Sequence, residues 1–433
     1  MIASLVDQCL RRERARILGS LFRVCRDLSA AEEALQDASL QAMTTWPIDG
    51  APDKPGAWLY VVARRRLIDR LRRDARWQAD DGRDGRDPLD QLAQEAPPVE
   101  GSGQDRDDRL RLLFACCNAS LPERARIGLA LRSLLGLSTR EIARAFLEDE
   151  ATTAKRLVRA KQAVKRTAHA SAGTAADLGV DERMAAIDLV LRTLYLVFNE
   201  GYLAAEGESL VRQGLVDDAI ELAELVVDLL PWHAESHGLL ALMLLHGARR
   251  AARVNSLGEL VTLDEQDRGL WDTSMIRRGT AVLDRALALR AASAVDASAV
   301  DVGVGVYLVQ AAISSLHANA AHADDTDWLQ IAGLYRLQLS QTPSPVVELN
   351  AAVALAMAGQ QKEALAWVNA LEKDKRLADY HLLAAVKAHL LEGAGHRQQA
   401  IRLYRRARRL TNNEAERRFL IRRIEALEHT PTS

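Results

Sequence analysis

At 433 residues the chain exceeds one ordinary domain, so two or three are expected. Apolar residues make up 48% and aromatic residues only 4%, with Ala, Leu, Arg and Glu abundant and β-branched runs short, which excludes a β-rich fold and implies an all-α chain. The net charge of −2 hides a split: residues 1–170 hold 30 Lys+Arg and 25 Asp+Glu, and the remainder holds 27 and 34, a balance of +5 against −7. Such asymmetry suggests a nucleic-acid module joined to something else.

The N-terminal stretch MIASLVDQCLRRERARIL has no uninterrupted apolar core and no small-residue cleavage site. No run reaches the length of a membrane span, so a cytoplasmic protein is expected. Residues 1–26 read as a helix with Leu5, Leu18, Leu21, Phe22 and Val24 among Arg-rich turns. Asp27-Leu28-Ser29 then starts a second helix, Ala30 to Trp46, expected to stop at Pro47 and to expose Glu32, Glu33, Gln36, Asp37 and Gln41. A loop rich in Pro, Gly and Asp leads to a third helix over residues 57–73. Its first half is apolar, and its second half carries six arginines (Arg64, Arg65, Arg66, Arg70, Arg72 and Arg73) against one aspartate. A helix that turns basic at one end can pack on neighbours and still offer cations to phosphate.

Trp77 to Asp108 holds ten acidic residues, three arginines and repeated Gly and Pro. It buries too little apolar surface to fold alone and is expected to be a flexible linker. Arg109 to Ser133 supplies the next helices, and a helix-turn-helix follows over residues 134–166. Ser138 is its expected N-cap and Glu141 completes a capping box. The second helix, Ala151 to Arg166, carries Lys155, Arg156, Arg159, Lys161, Lys165 and Arg166 with no acidic residue. Leu157 and Val164, with Ala154, Ala160 and Ala163, supply a stripe that can pack while the cations stay outside. A helix of this kind can enter a major groove, and Thr152, Thr153, Lys155, Arg156 and Arg159 are the candidate contacts.

Beyond residue 180 the chain continues for about 250 residues, far more than a DNA-binding module needs. A weak repeat appears there: Gly214, Gly359 and Gly395 are each followed five residues later by Ala219, Ala364 and Ala400, and twelve later by Val226, Leu371 and Ala407. The last two copies lie 36 residues apart, close to the period of tetratricopeptide helix hairpins. In that reading the glycine closes a turn and the alanine lets paired helices approach.

The segment AWLYVVARRRLIDRLRR, residues 57–73, resembles the helix of bacterial sigma factors that reads the promoter element nearest the start site. The preceding DLSAAEEALQDASLQAMTTWP resembles the helix by which sigma factors grip the RNA polymerase clamp, and residues 138–166 resemble their second DNA-binding domain, which reads the more distant element. Together these look like a sigma factor of the extracytoplasmic-function type. Phe198-Asn199-Glu200-Gly201-Tyr202, Asp264-Glu265-Gln266-Asp267-Arg268, Asp325-Thr326-Asp327-Trp328 and Pro343-Ser344-Pro345-Val346-Val347 resemble the subgroup with a long tetratricopeptide-like C-terminal extension. The chain departs from the pattern at Arg65, where the family often has Asn, at Asn118 after the Cys116-Cys117 pair, where the subgroup often has His, and at Ala351, where the subgroup commonly has Arg.

The resemblance implies two small helical sigma domains followed by an α-solenoid-like helical-repeat domain. Their expected spans are 1–76 for the region-two-like domain, 77–108 for an acidic linker threading the polymerase RNA channel, 109–170 for the region-four-like domain and 180–430 for the extension. The implied partners are core RNA polymerase, held through Glu33, Gln36 and Asp37, promoter DNA, and a protein or peptide on the extension. The implied activity is promoter-specific initiation controlled by the extension, which we expect to be required. The alternative is a free-standing helix-turn-helix regulator with a peptide-sensing repeat domain, which would not need residues 28–73.

No catalytic or cofactor signature is present. There is no P-loop and no H-E-x-x-H, and Gly303-Val304-Gly305-Val306 lacks the context of a dinucleotide fold. Asp264, Glu265 and Asp267 have no visible catalytic partner, and His381 and His389 sit in an alanine-rich helix. The four cysteines, Cys9, Cys25, Cys116 and Cys117, form no C-x-x-C pair. Buried thiols are expected, with a redox switch at the adjacent pair as the alternative. Trp46 and Trp58 are expected in the core, with stacking on an opened base as the other option.

Overall fold

Ile17, Leu18, Leu21 and Phe22 recur at helical spacing, and in the computed structural model of the chain they are the buried stripe of α1 (Ile2–Cys25). The structure describes residues 2–78, 102–146, 148–170, 180–203, 210–253, 255, 261–295, 305–411 and 414–429; these contain no strand and no helix long and apolar enough to cross a membrane. Packing divides the chain into a first unit ending at Glu200 and a second beginning at Gly201.

In the first unit α2 (Leu28–Asp49) starts at Asp27, whose Oδ1 accepts from the N–H groups of Ser29 and Ala30 at 2.9 and 3.3 Å. The expected stop at Pro47 does not occur. Pro47 lies two residues before the helix end and removes only one backbone donor there, so the helix runs on until Gly50, at φ 83°, closes it by donating to the Trp46 carbonyl at 3.1 Å. Trp46 is buried and meets Trp58 of α3 (Pro55–Gln78) edge-on at 5.4 Å. Leu59, Tyr60, Ala63, Leu67 and Ile68 of α3 are buried as it packs on α1 and α2.

The expected linker is corrected at both ends. Trp77 and Gln78 continue α3, and residues 103–108 open α4 (Gly103–Cys116), capped by Ser102. Asp105 and Asp108, each 1% exposed, are not solvated linker charges: Arg109 lies 3.7 Å from the first, and Arg23 and Arg111 lie 3.2 and 3.3 Å from the second. Ion pairing to cations of α1 and α4 lets this acidic segment pack. Gly19 permits the approach, because a Cβ there would stand 2.8 Å from the Asp108 carbonyl oxygen. The rest of the linker expectation, residues 79–101, lies outside the described residues.

Helix α5 (Glu123–Ala130) passes into a π-helical turn, Leu131–Leu135, that ends at Gly136 with φ 82°. Helices α6 (Thr139–Ala145) and α7 (Glu150–Ala170) follow, then α8 (Val180–Leu203). Ile187, Val190, Leu191, Leu194, Val197 and Phe198 of α8 are buried, and packing places this helix, where the extension is expected to start, almost wholly in the first unit. Cys116 and Cys117 are fully buried, and burial pushes the Cys117 thiol up to about 12, with Thr193 of α8 as its hydrogen-bond partner. Burial also raises Cys116, which meets Ser133. Both thiols are packing groups held away from the thiolate form.

The second unit comprises α9 (Leu210–Leu229), α10 (Ala234–Gly247), α11 (Thr273–Val295), α12 (Val306–Asn319), α13 (Trp328–Gln341), α14 (Pro345–Met357), α15 (Gln361–Leu371), α16 (His381–Gly393), α17 (Arg397–Leu410) and α18 (Glu414–His429). Each packs on the next, as in a helical-repeat array. The repeat glycines Gly359 and Gly395 close the α14–α15 and α16–α17 turns at φ 82° and 81°, and Ala364, Ala400 and Ala407 are fully buried. Gly214 differs: it is an exposed residue inside α9, so that copy has no glycine turn.

The Asp264–Arg268 string is structural. Asp267 accepts from Gly269 N–H at 2.8 Å, and Arg268 donates to the carbonyls of His317 and Ala320 at the end of α12 at 2.6 and 2.7 Å. The Arg268 guanidinium also stacks over Trp271 at 4.5 Å. The opposite end of α12 is held by Glu235 of α10, which accepts from Tyr307 and Leu308 N–H at 3.0 and 2.9 Å.

Candidate nucleic-acid interface

The helix-turn-helix is built by its caps. Ser138 Oγ accepts from Glu141 N–H at 3.2 Å while Glu141 returns a bond to Ser138 N–H at 2.7 Å, the reciprocal capping box the sequence predicts. Asp149 accepts from Thr152 N–H at 2.8 Å and starts α7. Thr153, Leu157, Ala160 and Val164 form the buried face of α7, at helical spacing. Thr152, Lys155, Arg159 and Arg166 lie exposed on the other side.

The expected contacts therefore divide. Thr153, 1% exposed, is turned into the core, where its hydroxyl meets Glu148 at 3.4 Å, so it is not on the groove-facing side. Arg156 is half-buried and chelated by Glu148 at 2.6 Å, and Arg124 reaches the same carboxylate at 2.5 Å. The Arg156 hydrogen bond holds the Glu148 carboxyl below its ordinary range. Thr152, Lys155 and Arg159 remain as neighbours on one open face.

On α3, Arg64 is 4% exposed and lies over the Tyr60 ring at 5.7 Å, so its guanidinium is spent inside the unit. It fails as a groove contact because its position falls on the Tyr60–Ala63–Leu67 face that packs on the neighbouring helices. Arg65, Arg66 and Arg73 are exposed, while Arg70 and Arg72 are half-buried. Arg66 donates to Gln41 at 3.2 Å, and Arg70 pairs with Glu33 across the α2–α3 surface. Glu33, Gln36 and Asp37 are all exposed on α2, and the same face continues with Leu40, 59% exposed, and Met43. An apolar pair beside charges on one helix face is a protein-docking pattern that the list of polar candidates missed. The expectation that Glu32 shares this face is corrected: it is buried.

Glu32 instead gathers cations from three elements. Its carboxylate lies 2.5 Å from Lys161 of α7, 3.8 Å from Arg14 of α1 and 4.0 Å from Arg132 of the π-helical turn, and it accepts from Ser133 Oγ at 3.0 Å. Asp27 adds a pair with Lys165 at 2.6 Å. Helices α2 and α7 are thereby tied together through the side of α7 that carries Lys161 and Lys165. A cleft of about 420 Å³ lies at this junction, lined in part by Glu33, Gln36, Val158 and Lys161.

Three family models match the chain: Sigma-70 region 2 over residues 9–77, Sigma-70 region 4 over residues 111–164, and a family of unknown function, DUF6596, over residues 186–287. An uncharacterized protein of Rhizobium meliloti (strain 1021) is 38% identical over 99% of this chain and 97% of its own length. The ECF RNA polymerase sigma factors SigK of Mycobacterium sp. strains KMS and JLS are each 30% identical over 34% of this chain and 74% of their own length. The region 2 match covers α2 and α3, and the region 4 match covers the helix-turn-helix. The chain belongs to the extracytoplasmic-function RNA polymerase sigma factors, as a member with a long helical C-terminal extension.

Proposed function

We propose that this sigma factor docks core RNA polymerase on α2 through Glu33, Gln36 and Asp37, flanked by Leu40 and Met43. Arg65, Arg66, Arg70, Arg72 and Arg73 meet the start-proximal promoter element, and Thr152, Lys155 and Arg159 enter the major groove of the distal element. Arg156 orients Glu148 and the turn before α7, so it supports the reading face from behind. The observation that carries this reading is the sidedness of α7, with Thr152, Lys155 and Arg159 exposed together opposite the buried Leu157, Ala160 and Val164. Such a module works with core polymerase on DNA and so in the cytoplasm.

The test is reconstituted transcription from the cognate promoter with purified core polymerase. Arg159→Ala is expected to lower promoter affinity by about 1–3 kcal/mol and to relax sequence preference in the distal element if it bonds a base. Unaltered promoter binding across all salt concentrations would remove α7 from the reading role.

We further infer that the extension is required for activity, with control built into the chain. Because α8 is packed as core of the first unit, a truncation that probes this must end after Leu203 rather than before α8. The truncated chain is expected to fold yet drive its promoter poorly. Full activity would reject the requirement, and raised activity would indicate autoinhibition by the extension.

A further inference from the structure

Residues 171–395 carry 17 Lys+Arg and 30 Asp+Glu, but residues 396–433 carry ten Arg, no Lys and four Glu. The acidic extension thus ends on a strongly basic hairpin. Helix α17 alone has six arginines and no acid. Its Ala400, Ile401, Tyr404 and Ala407 are buried between α16 and α18, which turns Arg402, Arg405, Arg406 and Arg409 to the opposite, exposed face. These four stand at i, i+3, i+4 and i+7, a stripe about 10 Å long.

Arg405 pairs with Glu428 of α18 at 2.5 Å, and Arg406 donates to the Ala378 carbonyl at 3.2 Å. Arg402 and Arg409 form no ion pair with a described residue. The Arg406 bond sets the stripe beside the turn carrying exposed Lys373, Lys375 and Arg376, of which Arg376 is neutralised by Asp374 at 2.6 Å. An ordinary solvated helix face mixes both signs, because like charges at i,i+4 repel; here Arg402–Arg406 and Arg405–Arg409 are both like pairs. A polyanion relieves that repulsion, and an arginine-only stripe suits phosphate, which guanidinium binds bidentately.

We propose that the last hairpin of the extension binds the sugar-phosphate backbone of duplex DNA without reading sequence, through Arg402, Arg406 and Arg409. This is a DNA contact separate from the α3 and α7 surfaces, and it is testable without a promoter, so its failure leaves the promoter-reading assignment untouched.

The experiment measures binding of the full-length chain to a short duplex lacking any promoter, by fluorescence anisotropy between about 50 and 200 mM salt. The triple variant R402Q/R406Q/R409Q is compared with R277Q/R285Q/K362Q, which removes the same charge from exposed positions elsewhere in the second unit. The hairpin variant is expected to flatten the slope of log K against log salt by about 0.9 for each lost phosphate contact, hence by between 2 and 3, and to bind at least tenfold more weakly at the lowest salt. The control is expected to change neither. An unchanged slope, or an equal change in the control, overturns the proposal. So does an unchanged slope accompanied by weaker core polymerase binding, which would give the stripe to a protein partner. If the triple variant loses its helical circular dichroism, R402Q alone serves, with an expected slope change of about 0.9 and the same overturning outcomes.

Discussion

Glu32→Ala is expected to destabilise the first unit by about 3 kcal/mol, because removing one partner of a buried ion cluster leaves the others uncompensated. The glutamate is only 9% exposed, and Lys161, Arg14, Arg132 and the Ser133 hydroxyl all turn towards it. Without it the three cations face one another across a partly closed cleft, and Ser133, itself fully buried, loses its acceptor. Lys161→Met is expected to be milder, since Arg14 and Arg132 still neutralise the carboxylate. Urea unfolding followed by circular dichroism, with midpoint and slope fitted separately, reads both variants. A loss below about 1 kcal/mol for Glu32→Ala would mean that solvent screens the cluster as it does a surface pair.

The second large effect is acid sensitivity of the second unit. Burial, with the neighbouring His237, lowers His233 to about 4; burial, with Arg249 and Arg268, lowers His317 to about 4. Burial also drives His246 well below its ordinary value, aided by Arg249, Arg253 and His317. The neutral forms have structural uses: His233 Nδ1 accepts from Ser236 N–H at 3.2 Å as the N-cap of α10, and His246 Nε2 bonds the Ser314 hydroxyl at 2.9 Å. Unfolded imidazoles take up protons near pH 6.5, about 2.5 units before the folded ones. Stability is therefore fully present above about pH 6.5 and is lost as pH falls towards 4, by on the order of 2–3 kcal/mol for each of His233 and His317. Thermal melts at about pH 7 and pH 5 should show the second unit's transition falling, and His317→Asn should reduce that fall. Melting independent of pH across this window would contradict the burial argument.

Local rules made much of this legible. Ser138 and Glu141 sit three residues apart, and a capping box is a short-range object that tertiary structure seldom overrides. The apolar stripe Leu157–Ala160–Val164 likewise fixed which side of α7 faces out. Gly359 and Gly395 were readable as turns because positive φ selects glycine, whereas Gly214 shows that the same spacing can arise within a helix. Pro47 was misjudged because a proline near a helix C-terminus removes only one bond. Arg64 and Thr153 were placed among the DNA contacts by residue type, and a one-position rotation around the helix put them inside. The Glu32 cluster left no local signal: its partners Ser133 and Lys161 lie 101 and 129 residues away, and charge pairs have no periodicity to read. The extension's charge was legible as a total but not as a pattern, since an acidic sum concealed its basic end.

The seam between α1 and α4 meets through main chain at Gly19, where the first atom a side chain would strike is the Asp108 carbonyl. A flexible side chain could swing clear of an added methyl group; a helix backbone cannot. In evolutionary terms, how closely the segment after the acidic stretch seats on the first helix depends on one codon as well as on its ion pairs, at a position that brings no charge and no hydrogen-bonding side chain. Drift at that codon would act as a wedge, loosening the seating of α4 while leaving Arg23, Arg109 and Arg111 chemically intact. A substitution there would change how tightly the unit closes without altering any charged side chain along the seam.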